Sequence, residues 1–195
     1  MNIYPNTLKE LILKFSKLPG IGKKTAERLS IYILNSNKEE TVEFSNALVN
    51  LKDSISTCNV CHCFTEDQCH ICGSESRLKN LLCIVKDPTD VFLIEKSGFK
   101  GIYHVLGGLI APFDGITPEK LNIDLLSKRL DTIDEVIIAI EPSHDGDITT
   151  IYLSDIIKEK GIKVSRLARG VPVGTSLEFI DEITLSHSIN DRVEI

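Results

Sequence analysis

Apolar positions recur with a helical period over the first fifty residues. In the first segment they fall at i, i+3, i+4 and i+7, on one face of a helix: Leu8, Leu11, Ile12 and Phe15. The stretch "LPGIG" at 18–22 interrupts this pattern, and a second helix is predicted from about Lys23 to Leu34. A third helical stretch fits 39–51. The pattern therefore predicts two helices joined by a glycine turn, and then a third helix.

From Leu81 onward, short apolar runs alternate with helical segments. The predicted strands are 81–85, 102–106, 135–140 and 163–168. The predicted helices between them are 88–96, 118–130 and 147–159. Strands that alternate with helices in this way are typical of a parallel, doubly wound sheet. The fold class predicted for the chain is therefore α/β, with a helical region in front of the sheet.

Five of the six cysteines lie between these two regions, in "TCNVCHCFTEDQCHICG" at 57–73. Two C-x-x-C turns, Cys58 with Cys61 and Cys69 with Cys72, can aim four sulfurs at one ion, and this is the spacing of a structural zinc site. Glycine at 73 suits the turn if that residue needs a positive φ. Cys63 is a spare thiol, and Cys83 lies in a predicted buried strand as a small apolar residue. We expect one structural Zn²⁺ per chain, with four sulfur ligands and no open position.

The net charge of −6 is unevenly distributed. Residues 1–38 hold seven basic and two acidic residues, a net charge of +5 that leaves −11 for the remainder. A basic head on an acidic body suggests a local polyanion site, although lysines on a solvated helical face would give the same count. The apolar runs are far shorter than the roughly 20 residues that span a bilayer. A cytoplasmic protein is expected, and in a reducing cytosol clustered cysteines favour a metal over disulfides.

The glycine turn is the candidate polyanion site. Backbone N–H groups at the start of the second helix, together with the helix dipole, attract anions. No side chain here is placed to distinguish bases, so the expected ligand is the phosphate backbone, without sequence preference. This arrangement resembles a helix-hairpin-helix DNA-binding motif, and a plain helical hairpin is the alternative. The candidate DNA-binding residues are Lys17, Gly20, Gly22, Lys23, Lys24 and Arg28.

A group of acids follows the predicted strand 135–140. Glu141, Asp145 and Asp147 would lie at the carboxyl end of a central strand, where open α/β sheets hold their sites. The spacing of Asp145 and Asp147 allows both to bind one Mg²⁺. Alternatively, these residues only form a strand-to-helix loop in which Asp147 caps the helix.

In this order, the pieces resemble the RecR family of bacterial recombination mediators over nearly the whole chain. The most characteristic stretches are "YHVLGGLIAPFDGITP" at 103–118 and "SRLARGVPVGTSLEFIDEITLSHSI" at 165–189. The resemblance implies four parts: a helix-hairpin-helix DNA-binding region at 1–53, a four-cysteine zinc finger at 54–78, a Toprim domain at 79–170 and a C-terminal segment at 171–195.

The resemblance also implies a role without catalysis. Toprim enzymes hold Mg²⁺ with a first-strand glutamate and a later Asp-x-Asp. Here Lys86 takes the place of that glutamate, with Asp87 beside it. A full Mg²⁺ site would need Asp87 to turn in, so the chain is predicted not to be an enzyme. A Mg²⁺-dependent Toprim nuclease using Asp145 and Asp147 is the alternative.

Members of this family form ring-shaped oligomers, usually tetramers, that encircle DNA. With RecO and, in many bacteria, RecF, they help to load RecA at gapped or damaged DNA. The expected partners are thus single- and double-stranded DNA, RecO, RecF and further copies of the chain. We hypothesise that the zinc acts as a structural staple, which means that it fixes the orientation of the hairpin. A scaffold that binds only proteins would instead show no salt-dependent affinity for DNA.

Overall fold

The computed structural model describes residues 3–193, which form two compact units that divide between Ile55 and Ser56. The first unit contains three helices: α1 (Asn6–Phe15), α2 (Lys23–Asn35) and α3 (Lys38–Ser54). Helices α1 and α2 pack against each other, with Ile12 and Ala26 buried. Ala26 is 0% exposed, and its small side chain allows the two helices to pack closely.

The second unit combines a two-stranded hairpin, a four-stranded sheet and four helices. The strands are β1 (Ser56–Thr57), β2 (Phe64–Thr65), β3 (Leu78–Val85), β4 (Gly101–Val105), β5 (Glu135–Ala139) and β6 (Lys163–Arg166). The helices are α4 (Pro88–Glu95), α5 (Ile123–Ser127), α6 (His144–Glu159) and α7 (Glu182–Asn190). The larger sheet has the order β4-β3-β5-β6, and all its neighbouring strands are parallel. The predicted α/β fold class is confirmed.

The sheet separates two apolar clusters, because alternate residues of a strand face opposite sides. Leu82 and Ile84 of β3 belong to one cluster, which contains Leu153 and Ile157 of α6. The other side of β3 contributes Cys83 and Val85 to a second cluster, which contains three of the four predicted metal ligands and has the fourth, Cys72, packed against it. Cys83 is 2% exposed, as predicted for a small apolar residue of a strand. The cysteine segment is therefore built onto one face of the sheet.

The predicted helix over 118–130 is wrong. The chain forms a 3₁₀ turn at Pro118–Lys120, the five-residue α5, and a further 3₁₀ turn at Leu130–Thr132. The cause is the edge of β4: the Asn122 side chain donates to the carbonyl of Val105 at 3.0 Å, and Arg129 donates to that of Tyr103 at 2.7 Å. These tertiary contacts override the local helical preference.

Helix α6 begins at His144, three residues before the predicted start. The hydroxyl of Ser143 accepts a hydrogen bond from the N–H of Gly146 at 3.1 Å, so Ser143 is the cap and the expectation that Asp147 caps the helix is wrong. A Cβ at position 146 would lie 2.2 Å from the carbonyl oxygen of Glu141, a distance that only glycine avoids. Asp147 instead lies in the first turn, where a negative charge favours the helix dipole.

None of the helices within residues 3–193 is long and apolar enough to cross a membrane.

Candidate metal centre and nucleic-acid interface

The structure brings the four predicted metal ligands together. The sulfur atoms of Cys58, Cys61, Cys69 and Cys72 all lie within 4.8 Å of one another. The Cys61–Cys69 sulfur pair is separated by 3.5 Å and the Cys58–Cys72 pair by 3.9 Å. A tetrahedral ion with zinc–sulfur bonds of about 2.3 Å places its sulfurs about 3.8 Å apart. The residues therefore fit a four-coordinate metal ion.

Each C-x-x-C turn closes in the same way. The N–H of His62 donates to the carbonyl of Cys58 at 2.9 Å, and the N–H of Gly73 donates to that of Cys69 at 2.8 Å. His62, and not Gly73, has the positive φ, at 61°. The glycine at 73 has another reason, since a Cβ there would lie 3.1 Å from the carbonyl oxygen of Cys69. The sequence had suggested a positive φ at 73, which is wrong.

The electrostatics of the sulfurs also suit a cation. Burial raises the pKa of Cys58, but N–H groups of Cys61 and Val60 outweigh this effect and bring the pKa to about 7. The backbone N–H of Val60 lies 3.4 Å from that sulfur. The adjacent Cys61 thiol is the main cause that raises the pKa of Cys72. Four sulfurs this close cannot all be thiolates unless a positive ion compensates their charge.

The metal centre is continuous with the sheet. The carbonyl of Cys61 accepts a hydrogen bond from the N–H of Val105 at 2.9 Å, which covers the outer edge of β4. Cys63 is buried but lies outside the ligand set, and its thiol points to the carbonyl of Cys61 at 4.0 Å. The spare thiol is thus where the sequence placed it. The contact between Cys61 and Val105 protects β4, because the unpaired backbone groups of an edge strand otherwise recruit other chains.

A buried histidine connects this edge to the helix-poor segment that follows β4. His104 is 0% exposed, and its Nε2 lies 2.9 Å from the carbonyl oxygen of Asn122 while Arg129 donates to its Nδ1 at 3.1 Å. A carbonyl only accepts and a guanidinium only donates, so the proton is on Nε2 and the ring is neutral. Burial lowers the pKa of His104 to about 4. The ring of His62 meets that of His104 edge-on at 5.6 Å.

The predicted DNA-binding turn lies between α1 and α2. Gly20 has a φ of 78°, so the turn requires a residue that tolerates the left-handed region. Gly22 is the residue before α2 and has ordinary extended backbone. A Cβ at Gly22 would meet nothing within 4 Å, so packing within the chain does not explain the glycine there. A side chain at Gly22 would, however, stand in front of the helix N-terminus.

The N-terminus of α2 is open. Gly22 provides no side-chain cap, and the first turn of α2 holds no acidic residue. The first N–H groups of a helix have no partner within the helix, and they lie at the positive end of its dipole. The four basic side chains predicted to contact DNA are all exposed around this turn: Lys17, Lys23, Lys24 and Arg28.

Three of the four acidic residues predicted in the sheet unit lie at the carboxyl ends of the strands, next to basic side chains. The fourth, Asp145, lies in the first turn of α6. The Lys86 ammonium lies 2.8 Å from a carboxylate oxygen of Glu141 and 3.7 Å from one of Asp87. Asp147 forms an ion pair with Arg169. A cleft of about 720 Å³ opens at this edge, and Glu141, Asp147 and Arg169 line it.

These acids do not form a group of ligands. Within residues 3–193, the four cysteines are the only set of three or more His, Cys, Asp or Glu side chains whose ligand atoms come close enough to share an ion. Asp87 is the residue before α4, where its backbone N–H donates to the carboxylate of Asp90 at 3.0 Å, and its own carboxylate lies 3.7 Å from the Lys86 ammonium. Sequence reasoning missed Arg169, although it lies in a stretch that was singled out. No spacing rule links it to Asp147.

The fold and these sites define a class of protein with two parts. One part is a helix-hairpin-helix region, and the other is a Toprim-like sheet that carries a four-cysteine metal centre. Family models agree with this class. A Toprim domain model matches residues 80–168, "RecR, helix-hairpin-helix" matches residues 8–52, and "RecR, C-terminal" matches residues 170–193. Together the three matches cover most of the chain, and the cysteine cluster lies between the first two regions. The chain belongs to the RecR family.

Proposed function

We propose that this protein is a non-enzymatic DNA-binding clamp that acts in recombinational DNA repair in the cytoplasm. Membership of the RecR family supports the repair role. The observation that carries DNA binding is the open N-terminus of α2, which lacks both a side-chain cap and acidic residues. Phosphate groups can approach N–H groups there without displacing a side chain.

The DNA would be bound through its backbone. Lys23, Lys24 and Arg28 can each neutralise a phosphate, whereas base edges are out of reach of a turn made of glycines and a helix end. With three phosphate contacts, the logarithm of the binding constant should fall with the logarithm of salt concentration, with a slope of about −2.7 for duplex DNA and about −2.1 for single strands. Because the contacts are to the phosphate backbone, both forms would be bound without sequence preference. A weak, salt-sensitive grip by one hairpin would become strong only when several hairpins act together.

Several copies of the chain, four in the tetrameric ring that the family resemblance suggests, would supply that multiplicity. Linking weak sites raises the effective concentration of each remaining site around the DNA. The strongly acidic remainder of the chain would keep DNA away from the other surfaces and present carboxylates to a basic partner protein. We propose RecO, and RecF where it is present, as these partners, with the loading of RecA at gapped or damaged DNA as the outcome.

The four cysteines would hold one structural Zn²⁺. Thiolate ligands in a tetrahedral arrangement suit zinc, and with four sulfurs the ion has no open position for water or substrate. When bound, the ion compensates the charge of the four sulfurs. The chain's own contribution is to fix the two turns and to attach them to β4 through the carbonyl of Cys61.

The test is to mix the purified, zinc-loaded protein with end-labelled gapped duplex DNA in Mg²⁺, and to run matched native and denaturing gels. Shifted but uncut DNA is the expected result. Cut DNA, with cleavage lost in Asp145→Asn, would identify a Toprim nuclease and contradict the proposal. The absence of both a shift and cleavage would contradict direct DNA binding.

A further inference from the structure

The acidic edge of the Toprim sheet does not fit the divalent cation that this fold holds in enzymes. Carboxylates that share Mg²⁺ must converge on one point, each with an oxygen about 2.0–2.1 Å from the ion. In this chain the acids at the strand ends are separated by basic side chains. The residue types alone produce this mismatch. Lys86, directly after β3, brings a positive charge to a position where a cation site needs a negatively charged ligand.

Lys86 occupies the centre of this edge. It follows β3 directly, and its ammonium lies between carboxylates from two different segments, 2.8 Å from Glu141 and 3.7 Å from Asp87. The hydrogen bond with Glu141 raises the pKa of Lys86, so its positive charge is retained. Because parallel strands end at the same edge, an ion shared by residues at the ends of β3 and β5 would have to displace this ammonium.

Arg169 neutralises the far side of the same edge. It lies just beyond β6, and its guanidinium pairs with Asp147 in the first turn of α6. The Arg169 side chain is 18% exposed, less than that of Asp147, so the pair holds the segment after β6 against the start of α6. A second contact, between Arg166 and Asp191 at 3.0 Å, attaches the end of the described C-terminal segment to β6.

We infer that Lys86 and Arg169 are built-in counter-ions that take the place of a divalent cation at this edge, and that Asp147 holds the chain's own segment after β6 instead of Mg²⁺. Asp87, Glu141 and Asp147 are thereby paired without any ion from solution. This inference does not depend on DNA binding by the hairpin, which lies in the other unit. It can fail while the proposed function stands, and the reverse is also true.

The experiment uses Mn²⁺ as the probe, because it has a coordination chemistry close to that of Mg²⁺ and broadens nearby NMR signals. Zinc-loaded, full-length ¹⁵N-labelled protein is titrated with Mn²⁺ in the absence of DNA, and the broadening of the amide signals at 141–147 is followed. The wild type should show no selective broadening there. Lys86→Glu, which converts the counter-ion into a ligand, should bind Mn²⁺ at least about tenfold more tightly, with broadening centred on Glu141 and Asp145.

The matched control is Lys100→Glu, which makes the same charge change in the same unit. Lys100 directly precedes β4, so it lies at the amino end of that strand, whereas the acidic edge lies at the carboxyl ends. It should leave the titration as in the wild type. Adding Asp145→Asn to Lys86→Glu should remove the gain. Selective broadening of the wild type at this edge, a folded Lys86→Glu without a gain, or a gain that survives Asp145→Asn would each overturn the inference. If Lys86→Glu does not fold, Lys86→Gln should show a smaller gain, and no gain in that variant would also overturn it.

The role of Arg169 is tested separately by hydrogen exchange. Arg169→Gln should accelerate amide exchange at 167–170, because the ion pair that attaches this segment to α6 is lost. Lys100→Glu again serves as the control. Unchanged exchange at 167–170 in Arg169→Gln would overturn the claim that Asp147 holds the segment after β6.

Discussion

Two helices of this chain begin in opposite ways, although each follows a short loop. Helix α2 begins after Gly22 with no cap, no acidic residue in its first turn and lysines at its first two positions. Helix α6 begins after Ser143, whose hydroxyl accepts the N–H of Gly146, and its first turn carries Asp145 and Asp147. The same helix dipole is thus left available to an external anion in one case and satisfied from within the chain in the other.

The difference explains how an acidic protein can bind a polyanion. Net charge alone would argue against DNA, but the field near a helix N-terminus depends on the groups within the first turn. Near α6 the acids are in turn paired with cations of the same chain, Asp147 with Arg169 and Glu141 with Lys86. At α2, in contrast, exposed cations and free N–H groups coincide.

The largest effect on stability should come from loss of the metal centre, which lies in the sheet unit. Cys58→Ser should lose the zinc, whose binding contributes about 10–16 kcal/mol in small structural sites, and should lower the melting temperature of the sheet unit. Zinc content by a colorimetric chelator and thermal melts by circular dichroism measure this. Cys63→Ser is the matched control and should retain the zinc, because Cys63 lies outside the ligand set. The staple hypothesis also expects Cys58→Ser to weaken DNA binding, and an unchanged fold and affinity would refute it.

The second effect concerns the hairpin alone. Lys23→Glu combined with Lys24→Glu should weaken duplex DNA binding more than about 100-fold at moderate salt, because two phosphate contacts become repulsions. The oligomer, measured by light scattering, should stay intact. Lys38→Glu with Lys52→Glu makes the same charge change on exposed positions of α3 and should cost far less. Equal losses in the two double variants would show that net charge, and not the open helix end, determines binding.

The third effect is a pH dependence of folding stability that is expected for the sheet unit and not for the hairpin unit. None of the five histidines precedes residue 62, whereas the sheet unit buries His104 with its pKa lowered to about 4. Above pH 6.5 the ring is neutral in both the folded and unfolded chain. As the pH falls below 6.5 the unfolded chain takes up a proton that the folded chain refuses until about pH 4, so stability is lost across this window.

The loss should amount to about 3 kcal/mol in total. Urea unfolding at several pH values would measure it, with zinc content followed in parallel because acid also protonates thiolates. His104→Gln, which cannot titrate, should show a flatter pH dependence than the wild type. Parallel curves for the two proteins would contradict the assignment of this loss to His104.

The smallest effect makes α2 resemble α6. Gly22→Asp adds a capping carboxylate, and it should stabilise the helix by a few tenths of a kcal/mol through the cap and by about 0.3–1 kcal/mol through the helix dipole. The same carboxylate would occupy the N–H groups and repel phosphate, so DNA affinity should fall about tenfold. Stability and affinity would then move in opposite directions, as urea unfolding and fluorescence anisotropy would show. Gly22→Asn caps without a charge and should lose less affinity. DNA binding unaffected by Gly22→Asp would place the phosphate elsewhere.

The sequence predicted most of the fold because its signals are local. Helical periodicity located α1 and α2, β-rich runs located the four parallel strands, and paired C-x-x-C turns identified the four metal ligands. Its largest error lies where distant groups decide the structure. The segment 118–130 is drawn to the edge of β4 by Asn122 and Arg129, so it cannot complete a helix. The start of α6 was misplaced because a serine cap and an acidic one are both compatible with the loop.

The sequence alone predicts chemistry that neighbouring residues carry: which cysteines can share an ion, where a helix end lies beside lysines, and that Lys86 stands in place of a ligand. The partners of those groups follow from the tertiary structure. It paired Lys86 with Glu141, separated by 55 residues, and Asp147 with Arg169, separated by 22. Spacing rules act over one turn of a helix or one hairpin, whereas contacts between strand ends depend on how the whole sheet is assembled.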